Sequence, residues 1–274
     1  VKDRRGKEIR LAAPPKRIVT LGPSVTETVV ALGAADRLVG RSKFCTYPPE
    51  IQKVPDMGGI TDPSLELLLA TQPELVISLG FLPERTAQTL EQSGIPVALF
   101  DFSTWPQVIE SIESINTLLQ AQEPPSTLRT TLACLLPEMG QRVFESRGER
   151  KLKTLVTLDP DHIYSAGGKS YLGEILRVLG TENAADQATS DWPELSRESV
   201  LQFDPERIIV LVGAQDLPAA EKKTATWPKD PFWSQLSAVK NGKVTVLDHW
   251  PLIVPGPRLE SGIPVLMEAL YPSE

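Results

Sequence analysis

The sequence predicts an α/β protein of two similar lobes, each built on a mainly parallel central sheet, joined by a single long bridging helix. Three observations lead there. Short strand-like apolar runs alternate with helical periods along most of the 274 residues, the pattern of βαβ units. One set of landmarks recurs in the second half, as in an internal duplication. Between the copies lies a segment of different character, 121–150, so the lobes are expected at 1–120 and 151–274.

Residues 3–11, DRRGKEIRL, read as a short hairpin turning at Gly6, and the AAPPK spacer follows. The stretch 17–21 is a buried-strand pattern broken by Gly22-Pro23. Ser24 then stands as an N-cap with Glu27 three residues on, a capping-box spacing. The helix 25–32 should stop at Gly33, a C′ glycine. Strand 38–40, an irregular stretch to Gly59, helix 64–70, strand 75–78, helix 83–93, strand 97–100 and a helix from Trp105 to about Leu119 complete the first lobe. Ala-Gln-Glu-Pro-Pro at 121–125 breaks the chain. Ser126 caps an amphipathic run to about Ser146, which Pro137 should kink or divide. Strand 154–157 restarts the alternation.

The repeat is carried by spacing. Ser64-Leu-Glu66 precedes Pro73-Glu-Leu-Val-Ile, and Ser196-Arg-Glu198 precedes Pro205-Glu-Arg-Ile-Ile by the same interval. Upstream, Ile18 through Glu27 to Leu32-Gly33 is echoed by Ile163 through Glu174 to Leu179-Gly180. The second copy is shorter, and the missing part is assigned to the loop carrying Phe44-Cys-Thr-Tyr-Pro-Pro49.

Composition excludes several function classes. A net charge of −7 argues against nucleic acid as a partner. Two Cys at 45 and 134 and two His at 162 and 249 lack the close ligand spacing of a zinc ribbon or zinc finger, and two Cys cannot build a disulfide scaffold. No apolar run is long enough to span a membrane. His162 and His249 have no spaced Cys or His partners, so no dedicated metal site is expected. Asp159-Pro-Asp161 is too short for an EF-hand loop, and Gly168-Lys-Ser170 lacks the first glycine of a phosphate loop. With no nucleophile elbow and no arguable triad, no catalytic residue and no cofactor are assigned. Trp105, Trp227 and Trp233 are expected to cover helices and sheet edges.

Several motifs, in this order and spacing, carry a resemblance. In the first half they are Pro15-Lys-Arg-Ile-Val-Thr-Leu-Gly-Pro-Ser24, Gly58-Gly-Ile-Thr-Asp-Pro-Ser-Leu-Glu66 and Gln72-Pro-Glu-Leu-Val-Ile77. In the second they are GTENAAD at 180–186, Trp192-Pro-Glu-Leu-Ser-Arg-Glu198, Asp204-Pro-Glu206 and Pro255-Gly-Pro-Arg258. Together they resemble the class III periplasmic solute-binding proteins of ABC importers for cobalamin, iron-siderophores and haem. The resemblance implies a ligand cleft between two α/β lobes bridged by a helix, with little closure because a helical bridge is stiff. It implies export with a signal removed, to a periplasmic or lipid-anchored extracytoplasmic place, and a monomer that meets a permease dimer.

Within the class, the cobalamin branch looks nearest. Cys45-Thr-Tyr-Pro-Pro49 resembles its Asp-Tyr-Pro-Pro segment, and Trp192-Pro-x-x-Ser-Arg-Glu198 its second-lobe motif, which makes Tyr47 and Trp192 ligand-face candidates. Tyr164 lies near a family aromatic position. Two tryptophans common in that branch are replaced here by Ile60 and Leu79, with Phe81 two residues after the latter. Phe81 and Trp250 join the candidates because rigid aromatics bury a flat macrocycle at low entropy cost. Arg258 holds an anionic ligand group or pairs with Glu260. By the resemblance, Glu66 and Glu198 present matched carboxylates to arginines of the permease, although ordinary helix-dipole stabilisation explains such residues too. The expected cargo is a corrinoid. A ferric siderophore or haem is the alternative within the class, and an enzyme or chelatase on a similar two-lobed fold the alternative outside it.

Overall fold

The computed structural model describes residues 1–120, 126–159, 161–248 and 250–272, without the side chains of 126 and 127. The expected break at 121–125, the Ser126 cap and His249 therefore lie outside the described residues. The chain forms two compact units, the first from Val1–Phe102 with Pro106–Thr131, the second from Ser103–Trp105 with the chain from Leu132 onward.

The first unit is a four-stranded sheet of β1 (Ile18–Leu21), β2 (Leu38–Arg41), β3 (Leu75–Leu79) and β4 (Val97–Phe100), ordered β2-β1-β3-β4. Every pairing is parallel. Parallel strands need crossovers that cover both faces, so β1 and β4 are buried at every position and read as unbroken apolar runs. Val19, Leu21, Val76, Val97 and Leu99 pack with Leu68 and Leu90 in one core cluster. The crossovers carry α1 (Pro23–Ala31), α2 (Leu65–Ala70) and α3 (Glu84–Gln92), and α4 (Trp105–Leu119) follows β4. The amino-terminal turn is tacked onto β4. Lys2 and Glu8 form an antiparallel bridge around Gly6 (φ 73°), and Arg4 N donates to Leu99 O at 2.9 Å.

The capping box expected at Ser24 does not form. α1 starts earlier, at Pro23, with Gly22 as its N-cap and no side-chain cap; Ser24 is buried inside the helix, its carbonyl accepting from Thr28 Oγ1 at 2.7 Å. Proline lacks the N–H that a helix start leaves unpaired and has a helical φ already, so it takes the first position ahead of serine. Gly22 sits at φ 130° with the Leu79 side chain 2.6 Å from where a Cβ would stand, a place only glycine fills. The helix ends as expected, with Gly33 at φ 75°.

The second unit repeats the topology with β5 (Leu152–Thr157), β6 (Thr181–Asn183), β7 (Arg207–Val212) and β8 (Val244–Asp248), ordered β6-β5-β7-β8 and parallel throughout. Its helices are α6 (Tyr171–Val178), α7 (Arg197–Phe203), α8 (Leu217–Thr224), α9 (Ser237–Lys240), α10 (Trp250–Ile253) and α11 (Leu259–Leu270). Before them runs α5 (Ser126–Arg147), which Pro137 does not divide although it removes the donor to the Ala133 carbonyl.

Register corrects the repeat. Ile18 pairs with Leu75 and Thr154 pairs with Arg207, and Leu75 and Arg207 each stand two residues after the matched prolines. The counterpart of Ile18 is therefore Thr154, and Ile163 lies beyond β5 in a longer β5–α6 loop. The shortfall of the second copy is also shared. Gly180 passes straight into β6, whereas a 3-10 turn at Ala35–Arg37 separates Gly33 from β2. Trp227 and Trp233 do not cover an edge: they stack at 3.7 Å with planes 5° apart, inside the core cluster that holds Val200, Ile208 and Val210.

Asp204 closes α7 in the left-handed region (φ 49°) and accepts hydrogen bonds from Ser237 N at 2.8 Å and Ser237 Oγ at 2.6 Å. These donors favour the carboxylate and lower its pKa. A lowered pKa contributes stability that is present above the ordinary carboxylate value, near 3.9, and is lost as pH falls through the folded value. Asp204→Asn keeps the left-handed tolerance, so at pH 7 it should cost about 1 kcal/mol. Thermal melts should show this difference shrinking below about pH 3; a gap that persists in acid contradicts the assignment.

Candidate functional site

In a parallel sheet all carboxyl ends emerge at one edge, and ligands of open α/β sheets bind there, where strand order reverses. In the first unit the reversal lies between β1 and β3. Phe81 follows β3 directly and is 67% exposed. The loop after β2 carries Phe44 and Tyr47, both about half exposed. Cys45 between them is buried, and its Sγ lies 3.0 Å from Thr26 Oγ1 and 3.1 Å from Ser42 Oγ. This anchor turns the loop so that its aromatic rings face outward. Phe81 and Tyr47 thus share one sheet edge, on strands separated by β1. Phe44, with Lys43 Nζ 5.2 Å from its ring centroid, is an aromatic that sequence reasoning left unassigned. Its outward position depends on the burial of Cys45, which no local pattern announces.

In the second unit the long β5–α6 loop pairs with the loop after β6. Ser165 N donates to Pro193 O, Leu195 N to Ile163 O and Gly167 N to Asp191 O, each at 2.8–2.9 Å, with an antiparallel bridge between Tyr164 and Glu194. Successive residues of such a ribbon face opposite ways. Ile163 is buried in the core cluster with Leu195 against it, so His162 and Tyr164 turn outward. Tyr164 and Trp192 are brought together on this ribbon. The Trp192 ring lies 6.1 Å from that of Tyr171, edge to face, and the Tyr171 hydroxyl donates to Leu252 O of α10 at 2.8 Å. Complete burial drives the Tyr171 pKa upward, so it remains a neutral donor tying the ribbon to α10. Trp250 opens α10, and the Arg258 guanidinium lies 6.0 Å from its ring centroid, the outer range of a cation–π contact. Tyr164, Trp192, Trp250 and Arg258 therefore follow β5, β6 and β8 at one edge.

The ribbon depends on Gly167, where a Cβ would stand 2.1 Å from Ser190 O. Gly167→Ala is expected to cost roughly 1–3 kcal/mol, read as a lower urea midpoint; an unchanged midpoint refutes this close approach.

Glu66 and Glu198 occupy the second position of α2 and α7, exposed, behind matching serine caps. Ser64 Oγ accepts from Leu67 N at 3.3 Å and Ser196 Oγ from Ser199 N at 3.1 Å. Ser64 N reaches Met57 O while Met57 N reaches Arg41 O, which holds the start of α2 near the carboxyl end of β2.

Where strand order reverses in the second sheet, a cavity of about 350 Å³ is lined by Asp159, Asp161, Asp216, Gly213 and Lys223, with Lys223 paired to Asp161. No group of three potential metal ligands is found among the described residues. No helix among them is long and apolar enough to cross a membrane.

Comparison with known proteins adds to this geometry. The family model described as "Periplasmic binding protein" matches residues 18–250. An ABC transporter substrate-binding lipoprotein, YvrC of Bacillus subtilis strain 168, is 28% identical over 99% of this chain and 85% of its own length. A vitamin B12-binding protein of Salmonella typhimurium is 30% identical over 77% of each chain. Among solved structures, the vitamin B12-binding protein BtuF of Vibrio cholerae superposes with a TM-score of 0.77 at 22% identity, covering 94% of this chain and 97% of its own. The haem-binding protein HutB of the same organism gives 0.77 at 23%, covering 93% and 99%. At these identities the two structures speak to the fold alone. The chain belongs to the periplasmic binding protein family, as a substrate-binding protein of the ABC-importer kind.

Proposed function

We propose that this protein works outside the cytoplasm, captures a corrinoid on the carboxyl-edge loops of its two units, and hands it to an ABC importer without chemistry. The observation that carries this reading is the clustering of aromatics on those edges, Phe44, Tyr47 and Phe81 in one unit and Tyr164, Trp192 and Trp250 in the other. A corrin is a large flat ring with amide arms. Rigid aromatic side chains bury such a surface at little entropic cost, and exposed loop backbone supplies partners for the amides. The vitamin B12-binding relatives support the same cargo. Haem is a second reading, favoured by the partly exposed phenols of Tyr47 and Tyr164, since tyrosine is a known axial ligand of haem iron.

The purified protein, titrated in parallel with cobalamin, cobinamide, haem and a ferric siderophore, should respond to a corrinoid at micromolar concentration or below by tryptophan quenching. Silence toward both corrinoids overturns the cargo. Trp192→Ala is expected to weaken corrinoid binding at least tenfold, in line with a central aromatic anchor. Docking to a permease dimer is assigned to Glu66 and Glu198.

A further inference from the structure

The edge of the second sheet opposite the aromatic loops, where its strands begin, gathers Arg147 at the end of α5, Arg207 at the start of β7 and Tyr271 just past α11. The Arg147 guanidinium lies 4.8 Å from the Tyr271 ring centroid. Ile208 is buried in the core cluster, so Arg207 before it faces the other side of the sheet. Burial lowers the Arg207 pKa, and the positive charge of Arg147 lowers it further. Two like charges are thus held close together, one exposed and one half-buried.

A guanidinium carries donors and no acceptor, and buried donors nearly always find a partner. These two find none. Arg207 Nε is buried without a hydrogen-bond partner, and neither guanidinium makes a hydrogen bond or ion pair among the described residues. The nearest acceptors are committed elsewhere. The Tyr271 hydroxyl donates to Leu179 O at 2.8 Å and to Gly180 O at 3.3 Å, and burial raises its pKa, which keeps it a neutral donor. Glu206, next to Arg207, accepts from Arg150 at 2.7 Å and from Lys153 N at 3.2 Å. A helix-capping role would show guanidinium bonds to the last carbonyls of α5 or α11, and neither arginine makes one among the described residues.

We infer that Arg147 and Arg207 form a binding site for a phosphate group, either free or on a lipid headgroup. A tetrahedral oxyanion offers oxygens to two guanidinium forks at once, whereas the two oxygens of a carboxylate are spent on one. Binding offsets the repulsion between the arginines, gives Arg207 Nε an acceptor, and ties the end of α5 to β7. The site lies at the edge opposite the aromatic loops and does not depend on the cargo reading.

The test is calorimetric titration of the whole protein with inorganic phosphate, against sodium chloride at matched ionic strength. Sedimentation with phosphatidylcholine vesicles, with and without phosphatidic acid, forms the second arm. Phosphate should bind saturably and raise the melting temperature by about 3–5 °C at ten times its dissociation constant. Arg147→Gln, at an exposed position, should melt like the wild type in chloride and bind phosphate about tenfold more weakly. Arg207→Gln should lose binding as well, and Arg85→Gln in the other unit should keep it. If free phosphate is silent but the protein sediments with phosphatidic acid vesicles and Arg147→Gln does not, the phosphate is that of a lipid headgroup. Silence in both arms, an equal effect of chloride, or binding that survives in both Arg147→Gln and Arg207→Gln overturns the site.

Discussion

Cells that depend on this protein for cargo uptake should lose at least tenfold in uptake when Glu66→Ala and Glu198→Ala are combined, with cargo affinity unchanged within about twofold. The two carboxylates stand on exposed first turns of α2 and α7, at repeat-related positions, and the helix starts do not need them. Ser64 and Ser196 already satisfy a first-turn N–H in each helix. What the carboxylates add locally is their interaction with the helix dipole, about 0.3–1 kcal/mol each at an exposed site. A docking role is larger because removing one partner leaves the other charge desolvated and unpaired, costing roughly 2–5 kcal/mol per pair. Each single variant should show part of the defect, and melting should move little for any of them. Uptake that survives the double substitution reduces both residues to helix stabilisers.

Trp227→Ala should be the most damaging single change to stability. Its ring is 2% exposed, stacked face to face on Trp233, and Phe232 meets Trp233 edge-on at 4.8 Å. These rings pack with Leu236, Ala238 and the buried face of β7. Truncation removes the transfer energy of an indole and leaves a cavity in a close-packed core, together roughly 3–5 kcal/mol. At about 2–4 °C per kcal/mol for a domain of this size, the melting temperature should fall by on the order of 10 °C. Trp192→Ala is the informative contrast. Its ring is only half-buried, so its stability loss should be far smaller while its binding loss is larger. Equal melting losses for the two variants would mean that the Trp227 stack is not a core feature.

What the sequence made legible was local. Gly33 and Gly180 both end helices at positive φ, 75° and 73°, because that conformation is open to glycine and little else. Ser64 and Ser196 both cap helices because short polar side chains reach the first-turn amides. The run of strands and helices was readable for the same reason, but the strand orders of the two sheets were not, since right-handed crossovers fix which face each connecting helix covers and leave the order open. Ser24 was misleading because a capping box and a proline at the first helical position compete for one place, and proline took it. The ribbon joining Tyr164 to Glu194 could not be read, since it pairs two loops that no periodicity marks. His162 looked isolated for that reason, its carboxylate partner lying 32 residues away along the chain. The Trp227–Trp233 stack was hidden too, because indoles in proline-rich turns suit a surface cover as well as a core.

The central claim is that the carboxyl-edge loops of both sheets hold the cargo. Amide hydrogen exchange, followed with and without saturating cobinamide, tests it most directly. The account predicts slowed exchange at 42–47, 80–82, 162–166 and 190–195, with the helices that cover the sheets unchanged. Protection absent from these loops, or confined to the opposite edge of either sheet, would contradict it.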